Sequence, residues 1–131
     1  MKKNKIVLLL VLSSILITSG CSHFHLNFRD FLGDSIKDLK RARSTGKVQI
    51  FDGSYSEVFS KITTKLEKKS IKIYLSNEKE GYIITMGFTK QVNTTRVGIF
   101  FENEEDNKIK VTLSSLSEGA LVKAEKIIFG Q

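Results

Sequence analysis

Residues 96–114 read RVGIFFENEEDNKIKVTLS. Val97, Ile99 and Phe101 alternate with Arg96, Gly98, Phe100 and Glu102. Ile109, Val111 and Leu113 alternate with Lys108, Lys110, Thr112 and Ser114. Successive side chains of an extended chain point to opposite sides, so a period of two gathers each apolar trio on one face. Asn103 to Asn107, between the runs, is polar and suited to a tight reversal. The stretch predicts two antiparallel strands with one face buried and the other mostly wet.

Toward the N-terminus, Tyr82 to Phe88 reads as another strand, with Ile84, Met86 and Phe88 on one side, followed by a polar loop from Thr89 to Asn93. Ile71, Ile73 and Leu75 alternate with Lys72, Tyr74 and Ser76, and Asn77 to Gly81 turns the chain. Before these strands the period becomes helical: Tyr55, Val58, Phe59, Ile62 and Leu66 share one face. Ser54 and Glu57 fit a capping box, and Lys65, Lys68 and Lys69 suit the negative end of that helix. Asp52-Gly53 is a turn signal, and Val48, Ile50 and Phe51 make a short first strand. On the C-terminal side, Ser115 and Glu118 form a second capping box. Ala120, Leu121, Ala124, Ile127 and Ile128 form the stripe of a closing helix that ends at Gly130.

The predicted order over 47–131 is β-α-β-β-β-β-α. The expected class is α+β, a two-layer sandwich with an antiparallel sheet of about five strands and helices on one face. The chain has 131 residues, enough for one domain, and its single cysteine excludes an intrachain disulfide. It has no proline, so its turns rely on Gly, Asn, Asp and Ser.

The net charge is +7, but it is unevenly spread. Residues 1–20 carry Lys2, Lys3 and Lys5. Residues 21–47 carry Arg29, Lys37, Lys40, Arg41, Arg43 and Lys47 against Asp30, Asp34 and Asp38. Residues 48–131 hold 12 basic and 11 acidic side chains. The excess therefore lies outside the domain, which argues against a nucleic-acid partner.

Met1 to Lys5 is a basic head. Ile6 to Ile17 follows, apolar except for Ser13 and Ser14. Twelve residues fall short of the ~20 needed to span a bilayer but match a signal-peptide core. Thr18-Ser19-Gly20-Cys21 closes the run and resembles the lipobox of bacterial lipoproteins. Ser19, Gly20 and Cys21 match the pattern, and Thr18 stands where leucine is usual. The resemblance implies a lipoprotein signal peptide over 1–20 and cleavage between Gly20 and Cys21. It also implies a diacylglyceryl thioether on Cys21 and an acylated new amino terminus, with palmitate-type chains. Two or three acyl chains make a durable membrane anchor where one does not. The competing readings are an ordinary cleaved signal, a retained anchor helix and a buried free cysteine. The expected location is a bacterial cell membrane or outer membrane, with the domain on the non-cytoplasmic, periplasmic side. Ser22 after the cysteine fits outer-membrane transfer, by analogy with the sorting rule of enteric bacteria.

Residues 21–46 read as the lipidated N-terminus and an amphipathic tether. Phe24, Phe28, Phe31, Leu32, Ser35, Ile36 and Leu39 recur at helical spacing, interrupted by Gly33. Either this stripe lies among lipid headgroups, with Lys37, Lys40, Arg41 and Arg43 toward anionic lipid, or it packs on the domain or a partner. His23 and His25 form an H-x-H pair, but no further His or Cys follows to complete a metal site.

Gly33-Asp34-Ser35-Ile36-Lys37-Asp38-Leu39, together with Thr94-Thr95-Arg96-Val97-Gly98-Ile99-Phe100-Phe101, resembles a group of small bacterial lipoproteins. That resemblance implies a shared fold and brings no activity with it.

Residues 26–131 contain no His and no Cys, which removes Ser-His-Asp, Cys-His and most zinc constellations. No phosphate-cradling glycine motif occurs. Glu102, Glu104, Glu105 and Asp106 lack the spacing and the glycine of a calcium loop and read as a solvated turn. Thr112, Ser114, Ser115 and Ser117 have no base to activate them and read as strand and cap residues. Asn93-Thr94-Thr95 matches a glycosylation sequon of little meaning in a bacterial lipoprotein. The expectation is a non-enzymatic, membrane-anchored binding or envelope-assembly module without cofactor or metal. Its partner is a protein of the cell envelope, met through the exposed sheet face, with Tyr74, Tyr82 and Phe100 as a contact patch, or through an edge strand. The same face is equally well read as covered by a further helix. The alternative function is a carrier of a small apolar ligand held between sheet and helices.

Overall fold

The computed structural model describes residues 36–88 and 95–130. A helix over 36–41, α1, runs into a 3-10 turn at Ala42–Thr45. Then come β1 (Lys47–Asp52), α2 (Tyr55–Lys68), β2 (Lys72–Asn77), β3 (Tyr82–Met86), β4 (Arg96–Glu104), β5 (Lys108–Ser115) and α3 (Glu118–Ile128). The five strands form one antiparallel sheet in the order β1-β5-β4-β3-β2. This is the α+β architecture and element order expected from the sequence.

The first face of the sheet carries Ile83, Val97, Ile99, Phe101, Ile109, Val111 and Leu113. They pack against Val58, Phe59, Ile62 and Leu66 of α2 and Ala120, Leu121, Ala124 and Ile128 of α3. Each fully buried Ile, Leu or Phe contributes about 2–3 kcal/mol through the apolar surface withdrawn from water. The alternation in β4 and β5 builds this core as read. The α2 capping box is present: Ser54 N–H donates to Glu57 Oε2 at 2.9 Å, and Glu57 N–H donates to Ser54 Oγ at 3.4 Å.

Three local readings are corrected. The α3 cap is Ser117, whose Oγ accepts from Ala120 N–H, and not Ser115 with Glu118. Ser115 instead donates to Arg96 O at 2.8 Å and accepts from Ser117 N–H at 3.2 Å. In β2 the register shifts between Ile73, paired with Thr85, and Leu75, paired with Ile84. One extra residue reverses the side-chain parity, so Ile73 faces the helices while Tyr74 and Leu75 pack on the opposite side. Ile84, Met86 and Phe88 do not share a face. Ile84 joins the second face, whereas Phe88 belongs to the helix-side core. Gly87 between them has φ 99°, a backbone turn that takes Phe88 out of the strand's alternation.

The second face is not mostly wet at its centre. Leu39 of α1, only 2% exposed, packs there with Tyr82, Ile84 and Phe100, and Ile36, Tyr74 and Leu75 border them. Of the apolar stripe read in the tether, Ile36 and Leu39 are described, and both lie on the domain. The rest, with His23 and His25, lies outside the described residues.

Candidate functional site

The second face divides into a covered part and an open part. Over the covered part, Ser114 Oγ donates to Leu39 O at 2.8 Å, tying α1 to β5. The Arg43 guanidinium lies 4.9 Å from the Phe100 ring centre and binds Glu102, while Lys40 Nζ sits 5.6 Å over Tyr82. Gly98 makes this packing feasible: a Cβ there would stand 2.6 Å from Phe100 Cε2, so the ring needs a residue without one. Tyr82 and Phe100 are buried and Tyr74 is half-buried, with Arg96 5.0 Å over its ring. The three rings therefore do not form an exposed contact patch, and that expectation is corrected: a helix and its cations cover the face.

Beside the cover runs a shallow groove of about 420 Å³, lined by Lys40, Arg43, Ser44, Val48, Glu102, Lys110 and Thr112. Glu102 is its electrostatic hub. Hydrogen bonds from Arg43 and then Lys110, the latter at 3.0 Å, hold its carboxyl below the usual range, against a smaller opposing effect of burial. A second hollow of about 280 Å³ lies between Tyr55 and the β2–β3 turn. There the Tyr55 hydroxyl donates to Glu78 O at 2.9 Å, and burial, helped by the Glu78 charge, raises its pKa. That contact fastens the turn to α2.

The open part is the β1 edge of the sheet. Val48 is 52% exposed and Ile50 47%, both on the second face. On the first face, Val122 of α3 is 50% exposed. It lies three residues before Glu125, which meets Lys47 of β1 at 3.6 Å, and seven before Phe129, whose ring is 5.9 Å from Phe51 of β1. Helical phase puts all three on the side of α3 that looks toward β1. Gly53 N–H donates to Asn107 O at 3.0 Å at the end of the β1–β5 ladder. Alternation from that bond turns the odd-numbered backbone groups of β1 toward β5 and those of Val48, Ile50 and Asp52 toward the open edge. At the other edge, β2 carries the register shift, a distortion that discourages strand addition. The β1 ladder is regular.

Among the residues singled out from the sequence, Ser114, Ser115 and Ser117 are engaged in structural hydrogen bonds, and Thr112 is buried. Glu102 and Glu104 lie on β4, and Asp106 turns the hairpin with φ 59°. No group of three His, Cys, Asp or Glu suited to a metal ion occurs among the described residues. Within the same residues, no helix is long and apolar enough to cross a membrane. Gly20, Cys21, Asn93 and Thr94 lie outside them. The exposure of Val48 and Ile50 was missed in the sequence, where they read simply as strand residues. The available signal was the two-sided apolarity of Val48-Gln49-Ile50-Phe51, which a singly covered strand does not need. Comparison with family models, with curated proteins and with solved structures gives no match.

Proposed function

We propose that the chain is a lipid-anchored, non-enzymatic docking module of the bacterial cell envelope, held at the membrane through Cys21 and engaging a protein along its β1 edge. The observation that carries this reading is the gathering of the half-exposed Val48, Ile50 and Val122 on both faces near the edge strand β1, whose outer side pairs with no other strand among the described residues. An undistorted edge with outward amides and half-exposed aliphatics is the surface to which another strand adds, main-chain bonds giving affinity and side chains giving selectivity. The anchor rests on Ser19-Gly20-Cys21 after the short apolar run. The apolar-carrier alternative gains no support from the interior, where α2 and α3 meet the sheet through closely buried side chains.

A photoreactive residue at Val48 of the full chain, in bacterial membranes, is expected to form a covalent protein adduct. The same probe at the exposed Thr64 of α2 is not. The absence of an adduct at Val48 would refute docking. Loss of fatty-acid labelling in Cys21→Ala tests the anchor separately.

A further inference from the structure

We infer that the outer ridge of the helical layer, where α2 meets α3, is a binding surface for anionic phospholipid and lays the domain helix side down on the membrane. The near-balance of 12 basic and 11 acidic side chains over residues 48–131 hides a segregation. Lys61, Lys65 and Lys68 recur at intervals of four and three, which stacks them on one flank of α2. Lys65 Nζ donates to Ile128 O at 2.8 Å, so that flank borders α3. On α3, Glu125 and Phe129 meet β1, and helical phase turns the opposite flank, with Lys123, toward α2 and Lys126 outward. Lys61, Lys68, Lys123 and Lys126 are all exposed.

The acids of the two helices lie elsewhere. Glu118 and Glu125 share the β1 flank of α3, and Glu67 projects from the far side of α2. Glu57, at the start of the lysine flank, closes the capping box with Ser54. None of the four exposed lysines forms an ion pair among the described residues. Cations of the second face are compensated by contrast: Arg43 and Lys110 share Glu102, and Arg41 lies 3.6 Å from Asp38. Lys61 and Lys68 stand about 10 Å apart along α2. Separate ammonium groups on a ridge, with no guanidinium fork among them, fit an array of small anions rather than one ligand. A leaflet of anionic headgroups is such an array, and each adjacent lysine gains about fivefold in affinity for it. The choice of lipid over other anionic partners rests on the proposed anchor at Cys21, which keeps a leaflet within reach. Docking at β1 is a separate contact and is compatible with this one, because helices below the sheet leave the β1 edge pointing sideways.

The full chain, purified with any attached lipid, is reconstituted on vesicles of phosphatidylcholine alone or with about 30% phosphatidylglycerol. A water-soluble amine reagent at low dose, read by peptide mass analysis, reports on each lysine. Lys61, Lys68, Lys123 and Lys126 are expected to react at least about fivefold more slowly on the anionic vesicles. Lys40 of α1, across the sheet and beyond the ~8 Å screening length at physiological salt, is expected not to change. Salt at about 1 M, where that length falls to about 3 Å, removes the protection. Lys68→Glu combined with Lys123→Glu is expected to restore reactivity at Lys61 and Lys126, with circular dichroism confirming the fold. Equal reactivity on both vesicles, or protection of Lys37 and Lys40 in place of the ridge, overturns the inference. Protection in bacterial membranes but not on anionic vesicles also overturns it and assigns the ridge to an acidic protein. Flotation reads the anchor separately. A chain that floats with neutral vesicles yet shows no ridge protection on anionic ones overturns the lipid surface alone. Flotation and protection with anionic vesicles only supports the surface and removes the anchor.

Discussion

Leu39→Ala tests whether the N-terminal segment is part of the domain or merely passes by it. Leu39 is 2% exposed and fills the centre of a small cluster with Tyr82, Ile84 and Phe100. Core Leu→Ala changes cost about 2–5 kcal/mol through lost transfer free energy and the cavity left behind. The shell here is one short helix over a sheet and can partly collapse, so the low end applies, about 2–3 kcal/mol. The Ser114–Leu39 backbone contact and the Arg43–Glu102 pair survive the substitution and limit the loss to the apolar part. Because about 1.4 kcal/mol is a factor of ten, opening of the segment rises roughly 30- to 140-fold. Hydrogen exchange at the Gly46 amide, bonded to Arg43 O at 3.1 Å, reads that opening directly. The three tyrosines and the absence of tryptophan make tyrosine fluorescence a second probe, since Tyr82 lies beneath Lys40. Urea unfolding of the full chain supplies the global loss, and volume-conserving Leu39→Met is expected to cost less than about 1.5 kcal/mol. Unchanged exchange at Gly46 with an unchanged urea midpoint in Leu39→Ala would refute the seating of α1 on the sheet.

Glu102→Gln is expected to lower stability at neutral pH and to lose its effect in acid. Arg43 and Lys110 depress the folded-state pKa of Glu102, so its contribution is full above the ordinary carboxylate pKa near 4.3 and fades as pH falls through the lower folded value. A gap from wild type in urea midpoints that widened on acidification would reverse that sign and reject the account. Ser117→Ala should cost about 1 kcal/mol as a lost helix cap, while Glu118→Gln, outside any capping box, should change the thermal midpoint little. Gly98→Ala should cost about 1–3 kcal/mol, because its Cβ displaces the Phe100 ring, and near-ultraviolet circular dichroism should register the altered aromatic packing.

What was legible in the sequence follows from how much of each signal is local. The β4–β5 hairpin shows strict alternation on one fully covered face. The α2 start is announced by Ser54 and Glu57, which satisfy each other within one turn. Both are decided by neighbouring residues. The β2 reading failed from Tyr74 onward because a single inserted residue inverts every later side chain, and no residue type in Ile73-Tyr74-Leu75 announces it. The α3 cap was misplaced because Ser115 and Ser117 are both competent, and the bond from Ser115 to Arg96 O, across 19 residues, chose between them. The cover on the second face was one of two readings left open. Leu39 marks an apolar position equally well for lipid or for a sheet, and only the partners Tyr82 and Phe100 distinguish them. The candidate site was the least legible of all. Val48 and Ile50 look like core residues, and their exposure depends on β1 falling at an edge, a property of strand order rather than of composition.

Strand order and the proposed membrane attachment also bear on how strong the β1 contact needs to be. A six-residue edge with two half-exposed aliphatics on one side and Val122 on the other offers a small interface. Pairing of this kind is weak between molecules diluted in three dimensions, where association must overcome several kcal/mol of lost translational and rotational freedom. The proposed anchor would change that balance. Residues 22–35 separate Cys21 from the first described residue, and a chain of that length reaches at most about 50 Å. If Cys21 carries the proposed lipid, this chain and a partner held in the same membrane would search a thin layer rather than a volume, with part of the rotational cost already met. The same confinement that raises effective concentration in linked binding modules would then act here. The Val48 photocrosslinking test consequently belongs in membranes. A Cys21→Ala chain carrying the Val48 probe, released from them, should form at least tenfold less adduct at matched total protein. Equal adduct yield from the anchored and released forms would show that the β1 edge is self-sufficient and that the lipid serves only to place the protein.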